Sequence, residues 1–361
     1  MQIVRIDAYP WDIAMRAPYR SAQRTTTVAQ NVLVELELAD GTIGYGESAP
    51  AQYVTSETQA LVLRAVNLAA SRLVGKQAPF AAEIITEHLV TTPGASAALE
   101  TALYDAMARA TNLPLYRLMG ADEDALTARE TDISIPLISP DDASQRAKEA
   151  VQNGFRAIKI KVGSNFLDED VNRVRAIAEA APHAQIRLDG NQAFTGDEAL
   201  RLVERLYDLL ERIELFEQPT KAKDDKAMKF VHDRIPFPVF ADESCHKAED
   251  AGRLISEGIC GGVVLKIAKS GLTGTYAMAQ VTHEAGGKCL FGCMMESHLG
   301  ISAALHLALA LGEATVPMLD LDGHLLVDDT NKVAGGPTQN GATISIDPTQ
   351  PGLGVRILSE E

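Results

Sequence analysis

The sequence predicts an α/β protein, a β/α barrel preceded by a smaller α+β unit, and three observations carry that expectation. The 361 residues are enough for a barrel of about 250 residues together with a second domain. From about residue 131, short apolar runs that read as buried parallel strands recur, separated by helical patterns. Finally, successive runs end in ionisable residues: AIKIKV with Lys159 and Lys161, IRLDGN with Asp189 and Asn191, LFEQP with Glu217, VFADES with Asp242 and Glu243, and VVLKIAKSG with Lys266 and Lys269. Lys161 to Asp189 and Asp189 to Glu217 span 28 residues each, Glu217 to Asp242 spans 25, and Asp242 to Lys266 spans 24. Each step is the length of one strand–loop–helix–loop unit. Charges at consecutive strand ends of a barrel converge on one mouth, where barrel enzymes keep their active sites.

Taken in order, the chain begins with three strand-like runs, IVRIDAYPWDI, QNVLVELELA and TIGYGESA. The second and third are joined by Asp40-Gly41, a strong hairpin signal. Between the first and second, a polar loop is expected from about Met15 to Thr27, holding Arg16, Tyr19, Arg20 and Arg24. From about Ser56 to Leu113 the pattern is helical, interrupted at Pro79 and at Pro93-Gly94. Residues 1–125 are therefore read as the α+β unit and 126–328 as the barrel. The barrel opens with TDISIPLIS; KCLFGCMM (288–295) is its seventh strand and VPMLDLD (316–322) its eighth. Residues 329–361, rich in Gly and Pro, are expected to run irregularly back onto the first unit.

Composition narrows the function classes. A hydrophobic content of 46% and a charged content of 23% are ordinary for a globular protein. The net charge of −16 argues against nucleic acid and anionic membranes as partners. No apolar stretch reaches the length of a membrane span, and the N-terminus has no signal-peptide core. The four cysteines follow neither metal-type nor disulfide spacing, which makes a reduced, cytoplasmic protein the expectation. The glycine pairs at 261–262 and 286–287 precede strands and form no phosphate loop.

The strand-end charges suggest the chemistry. Like charges about 4 Å apart repel by roughly 4 kcal/mol at an effective dielectric near 20, so Asp189, Glu217 and Asp242 in register need a cation between them or must take up protons. Hard oxygen ligands with positions left open suit Mg²⁺. Asn191 and Glu243 would support these ligands. Lys161 and Lys266, at the second and sixth strand ends, would face each other across the mouth. One base on each face of a planar intermediate is what proton transfer at carbon requires. Lys159 and the metal would hold a substrate carboxylate and stabilise the enediolate formed when the α-proton leaves. Neighbouring positive charge is expected to lower the lysine pKa values, while Lys269 is assigned no catalytic role.

Together the KxK of the second strand, the DxN, EQP and DES acids and the KxxKSG of the sixth resemble the enolase superfamily, in its muconate-lactonizing subgroup. The resemblance covers essentially the whole chain. It implies a modified TIM barrel, (β/α)₇β, under an N-terminal α+β capping domain, and an enolisable carboxylate substrate. It also implies Asp189, Glu217 and Asp242 as metal ligands, and Lys161 and Lys266 as acid/base groups. The mandelate-racemase pattern fits poorly, because no histidine stands at the matching sixth-strand position. MLDLDG sets Asp320 and Asp322 two apart, on one face, with Glu296 of CMMES close by. This pair resembles the DxD of dipeptide epimerases, which binds the substrate α-ammonium. Arg24 sits where alanyl-glutamate epimerases carry an arginine for the side-chain carboxylate, with Arg16, Arg20 and Tyr53 as further contributors. His298 and His324 are read as packing or hydrogen-bonding residues. The expectation is a Mg²⁺-dependent epimerase of L-Ala-L/D-Glu from peptidoglycan turnover, assembled as a homo-oligomer. Open alternatives are an N-acylamino acid racemase, a succinylbenzoate synthase, a muconate cycloisomerase, or a non-catalytic binding protein.

Overall fold

The computed structural model of the chain describes residues 1–89 and 91–358. Three antiparallel strands open it: β1 (Ile3–Arg20), β2 (Thr25–Leu38) and β3 (Ile43–Ser48). The Asp40-Gly41 turn joins β2 to β3 as expected, with Leu38 N–H donating to Thr42 O. The expected loop from Met15 to Thr27 is instead mostly strand. Tyr19 pairs with Thr26 and Arg20 with Thr25 after a register shift beyond Ala14, leaving residues 21–24 as the turn. Backbone pairing in a two-stranded ribbon does not require apolar side chains, so polarity misreads this segment as a loop.

Four helices follow: α1 (Gln52–Thr55), α2 (Gln59–Leu73), α3 (Ala78–His88) and α4 (Pro93–Ala110). Gly44 and Gly46 let β3 lie against α4, since a Cβ at either would come within 2.1 Å of Ala102 O or 2.0 Å of Ala98 O. A short helix α5 (Leu115–Leu118) and strand β4 (Ala128–Glu130) lead to the barrel.

Eight parallel strands form that barrel: β5 (Ile133–Ile135), β6 (Ala157–Lys161), β7 (Gln185–Asp189), β8 (Ile213–Glu217), β9 (Val239–Ala241), β10 (Gly262–Leu265), β11 (Lys288–Gly292) and β12 (Met318–Asp320). The helices between them are α6 (Pro140–Gln152), α7 (Leu167–Ala180), α8 (Gly196–Arg205), α9 (Asp225–His232), α10 (Ala248–Ser256), α11 (Ile267–Glu284) and α12 (His298–Thr315). The order is therefore (β/α)₇β. Asp132 N–H, donating to Leu319 O, bridges the seam between β5 and β12. Inside, Leu215, Phe240, Val264 and Leu290 pack as a separate plug, which makes the barrel a filled core rather than a pore.

The seventh strand stops at Gly292, short of the expected 295. Past it the capping strands take over the backbone groups: Asn31 Nδ2 donates to Met295 O and Glu47 accepts from Ser297 N. Asp322 likewise lies beyond β12, at the start of the short helix α13 (Gly323–Leu326). The C-terminal segment is more regular than expected. After β13 (Val327–Asp328), strands β14 (Val333–Gly335), β15 (Thr338–Asn340), β16 (Thr343–Ser345) and β17 (Val355–Ile357) form two small sheets, and β16 pairs with β4. Within this segment, Leu353 N–H donates to the buried Asp105 of α4, and Val355 O accepts from Arg109. No helix among the described residues is long and apolar enough to cross a membrane, and all four cysteines are free.

Candidate active site

Alternation along β6 sets the site. Ile158 and Ile160 pack outward into the core shared with the surrounding helices, which turns Lys159 and Lys161 into the barrel. Asp189 ends β7, Glu217 ends β8, Asp242 follows β9 and Lys266 follows β10. All three acids are fully buried. Lys159 is the hub: its Nζ lies 2.7 Å from Asp320, 2.8 Å from Glu217 and 3.3 Å from Asp189. Lys161 holds Asp189 at 2.5 Å, and Lys266 holds Asp242 at 2.8 Å.

Burial and the neighbouring charges compete in this cluster. Burial is the largest single influence and would depress both lysines, but the surrounding carboxylates together outweigh it, Asp189 foremost at Lys161 and Asp242 foremost at Lys266, so both are raised. The expected lowering is absent because carboxylates, not cations, are the nearest neighbours of each. Burial would raise Asp189 and Asp242, yet the lysines beside them pull both down. Glu217 goes the other way: burial and then the Asp189 charge push it up to about 7.

These acids fit a divalent cation. Among the described residues no group of three or more metal-ligating side chains is already set as a cation site; the carboxylates are engaged by lysines instead. Glu217 is the telling member. Both its oxygens are buried without a hydrogen bond, although Oε2 lies within ion-pair reach of Lys159 at an unsuitable angle. A buried carboxylate left in that state is costly, and hard oxygens of this kind suit Mg²⁺. Asn191 Nδ2 reaches Glu243 at 3.5 Å.

One cavity at this mouth is lined by Lys159, Lys161, Asp242, Lys266, Asp320 and Asp322. Asp322 is held by the Ser134 N–H at 2.7 Å, and burial followed by the Asp320 charge pushes its carboxyl up to about 6. From the capping unit, Arg24 lines the same cavity, its guanidinium 5.0 Å from the Tyr53 ring centroid. Glu296 is not brought to this cavity. It sits on the loop after β11, where burial and then Glu47 push it up to about 8. Arg16 pairs with Asp328 at 3.8 Å on the surface, and neither it nor Arg20 lines the cavity. His298 hydrogen-bonds Asp329, and His324 packs edge-on against His298. The buried Tyr19 and Ser134 and the half-buried Cys293 also line the wall, and sequence reasoning gave none of them a place in the site. Their only sequence signal is position, near a hairpin tip or at a strand end.

Two family models match the chain: the enolase C-terminal domain-like family over residues 142–361 and the mandelate racemase / muconate lactonizing enzyme N-terminal domain over residues 5–120. A hydrophobic dipeptide epimerase of Enterococcus faecalis is 34% identical, with 98% of this chain and 99% of the relative covered. An L-Ala-D/L-Glu epimerase of Bacillus subtilis is 32% identical, with 98% and 97% covered. The solved structure of the E. faecalis dipeptide epimerase, complexed with Mg and L-Leu-L-Tyr, superposes with a TM-score of 0.91 at 32% identity, over 98% of this chain and 99% of the other.

Proposed function

Because the chain belongs to the mandelate racemase / muconate lactonizing enzyme family of the enolase superfamily, we propose that it is a dipeptide epimerase, an isomerase that inverts an α-carbon by proton transfer. One observation carries this reading: a single cavity holds two lysines on separate strand ends together with the Asp320 and Asp322 carboxylates. Lysines alone would serve any member of the subgroup. The acidic pair adds an acceptor for a free α-ammonium, which a dipeptide has and an N-acyl amino acid lacks.

Asp189, Glu217 and Asp242 would hold Mg²⁺, which when bound supplies positive charge that acidifies the α-carbon beside a substrate carboxylate. With Asp189 and Asp242 so engaged, burial is left to act on Lys161 and Lys266, and burial favours the neutral amine. The free amine of one lysine takes the α-proton, and the ammonium of the other returns a proton to the opposite face. Both configurations are therefore accepted, with the two lysines exchanging roles. Lys159 screens the acids from one another, and the substrate ammonium rests against Asp320 and Asp322. Arg24, steadied over Tyr53, offers a bidentate partner to an acidic side chain, which makes L-Ala-L/D-Glu the preferred substrate.

A second reading, an N-acylamino acid racemase, is favoured by one contact: Lys159 already neutralises Asp320 at 2.7 Å. A dipeptide library in deuterated buffer, read by mass spectrometry for α-proton exchange, decides between them. Exchange into dipeptides upholds the proposal. Exchange confined to N-acylated amino acids overturns it.

A further inference from the structure

Lys269 lies outside the mechanism above, yet its surroundings are built with care. It stands in the first turn of α11, three residues past Lys266, and its side chain is fully buried. An ammonium has three donors and no acceptor, and here three contacts take them up. Nζ reaches Asp242 Oδ1 at 2.6 Å, Asp242 O at 2.9 Å and Val264 O at 2.8 Å. Grasping the carboxylate and the backbone carbonyl of one residue fixes the side-chain rotamer between them. The third contact ties that residue to β10, the strand that delivers Lys266.

The two oxygens of Asp242 are thereby divided. Oδ1 belongs to Lys269, which does not line the substrate cavity, and Oδ2 belongs to Lys266, which does. Gln218 Oε1 accepts the Asp242 N–H at 2.9 Å, so the backbone is held from the other side as well. We propose that Lys269 is a positioning residue: it presets Asp242, from behind the cavity, for the metal and for Lys266. The proposal rests on the reading of Asp242 as a metal-side carboxylate. Lys269 itself, with no exposed surface and no donor to spare, meets neither substrate nor solvent.

The alternative is that Lys269 only balances charge, and the two roles predict opposite signs. Removing a nearby positive charge relieves repulsion of an incoming divalent cation and should tighten its binding. Removing a positioning contact frees the Asp242 rotamer and should weaken it. Mg²⁺ affinity is measured by titration calorimetry on wild type, Lys269→Met and Lys269→Gln, with thermal unfolding as the folding control. The amide of Lys269→Gln keeps two donors, so the expected order of affinity is wild type, then Gln, then Met. The weakest should fall by about 10- to 150-fold, the value of one charge-assisted hydrogen bond. Tighter or unchanged binding in both variants overturns the proposal. Loss of cooperative unfolding in both also overturns it, since Lys269 would then be a determinant of folding. A wild-type chain that takes up no Mg²⁺ overturns the metal reading and this proposal with it, whereas Mg²⁺ uptake indifferent to Lys269 overturns this proposal alone.

Discussion

Replacing Asp322 by asparagine removes one charge from the cavity while keeping the size of the side chain. Asp322 is 3% exposed, and its Oδ2 accepts the Ser134 N–H at 2.7 Å. The amide oxygen of Asp322→Asn can keep that bond, so the strand-end backbone stays satisfied. What is lost is the charge-assisted contact to a substrate ammonium, worth about 1.5–3 kcal/mol. At about 1.4 kcal/mol per decade this is roughly a 10- to 150-fold fall in kcat/KM for free dipeptides. N-acylated substrates, which bring no ammonium, should change little. The pH profile gives a second reading. The Asp322 carboxyl is pushed up to about 6, so kcat/KM for dipeptides should decline as pH falls through that value and the charge is lost. The variant should lack this part of the decline. The assay is α-proton exchange into L-Ala-L-Glu and into its N-acetyl form, measured side by side by mass spectrometry. Activity of Asp322→Asn within about twofold of wild type on the free dipeptide refutes the ammonium role.

Four further outcomes are expected. Lys161→Ala and Lys266→Ala should each abolish epimerisation, with one of them retaining exchange of a single substrate enantiomer; turnover in both near the wild-type level removes the pair from proton transfer. Rigorous chelation should stop turnover and Mg²⁺ should restore it, as followed by polarimetry; full activity in chelator contradicts the metal assignment. Arg24→Ala should lower kcat/KM on Ala-Glu by about 10-fold or more, the value of a charge-assisted hydrogen bond, and leave Ala-Leu unchanged; equal losses on both would remove the glutamate preference. Glu296→Gln tests linkage: burial and Glu47 push this carboxyl up to about 8, so between the unfolded pKa near 4.3 and about 8 the folded state binds more protons. Wild-type stability should therefore fall as pH rises across that window, and the variant should gain more in Tm at pH 8 than at pH 5. A gain independent of pH would show that Glu296 carries no buried charge.

The ring of charges at the barrel mouth was legible because it follows a rule of barrel geometry: Lys161, Asp189, Glu217, Asp242 and Lys266 recur at the period of one β/α unit, and that period survives in sequence. Contacts that join elements remote in sequence leave no such trace. Nothing in KxxKSG distinguishes Lys269, buried against Asp242, from a solvated helix lysine. Nothing local to CMMES shows that Asn31 and Glu47, far upstream, bind the backbone past the end of the seventh strand, or that Glu296 stays out of the cavity lining. The ribbon around Tyr19 escaped for the opposite reason, since apart from Tyr19 and Thr26 most of its side chains face solvent while its backbone pairs.

The Glu47 contact bears on how such enzymes diversify. Its carboxylate accepts from Ser297 N, Ser297 Oγ and Gly300 N at the head of α12, with Asn31 Nδ2 as a further donor. The capping unit is thus keyed into the barrel beside the loop bearing Met294 and Met295, two residues of the cavity wall. Grafting a foreign cap to import a new substrate preference would carry its own key into this lock. A mismatched pair would leave a buried charge at the graft line, so in this architecture loops can be exchanged singly, whereas whole caps must travel with the start of α12.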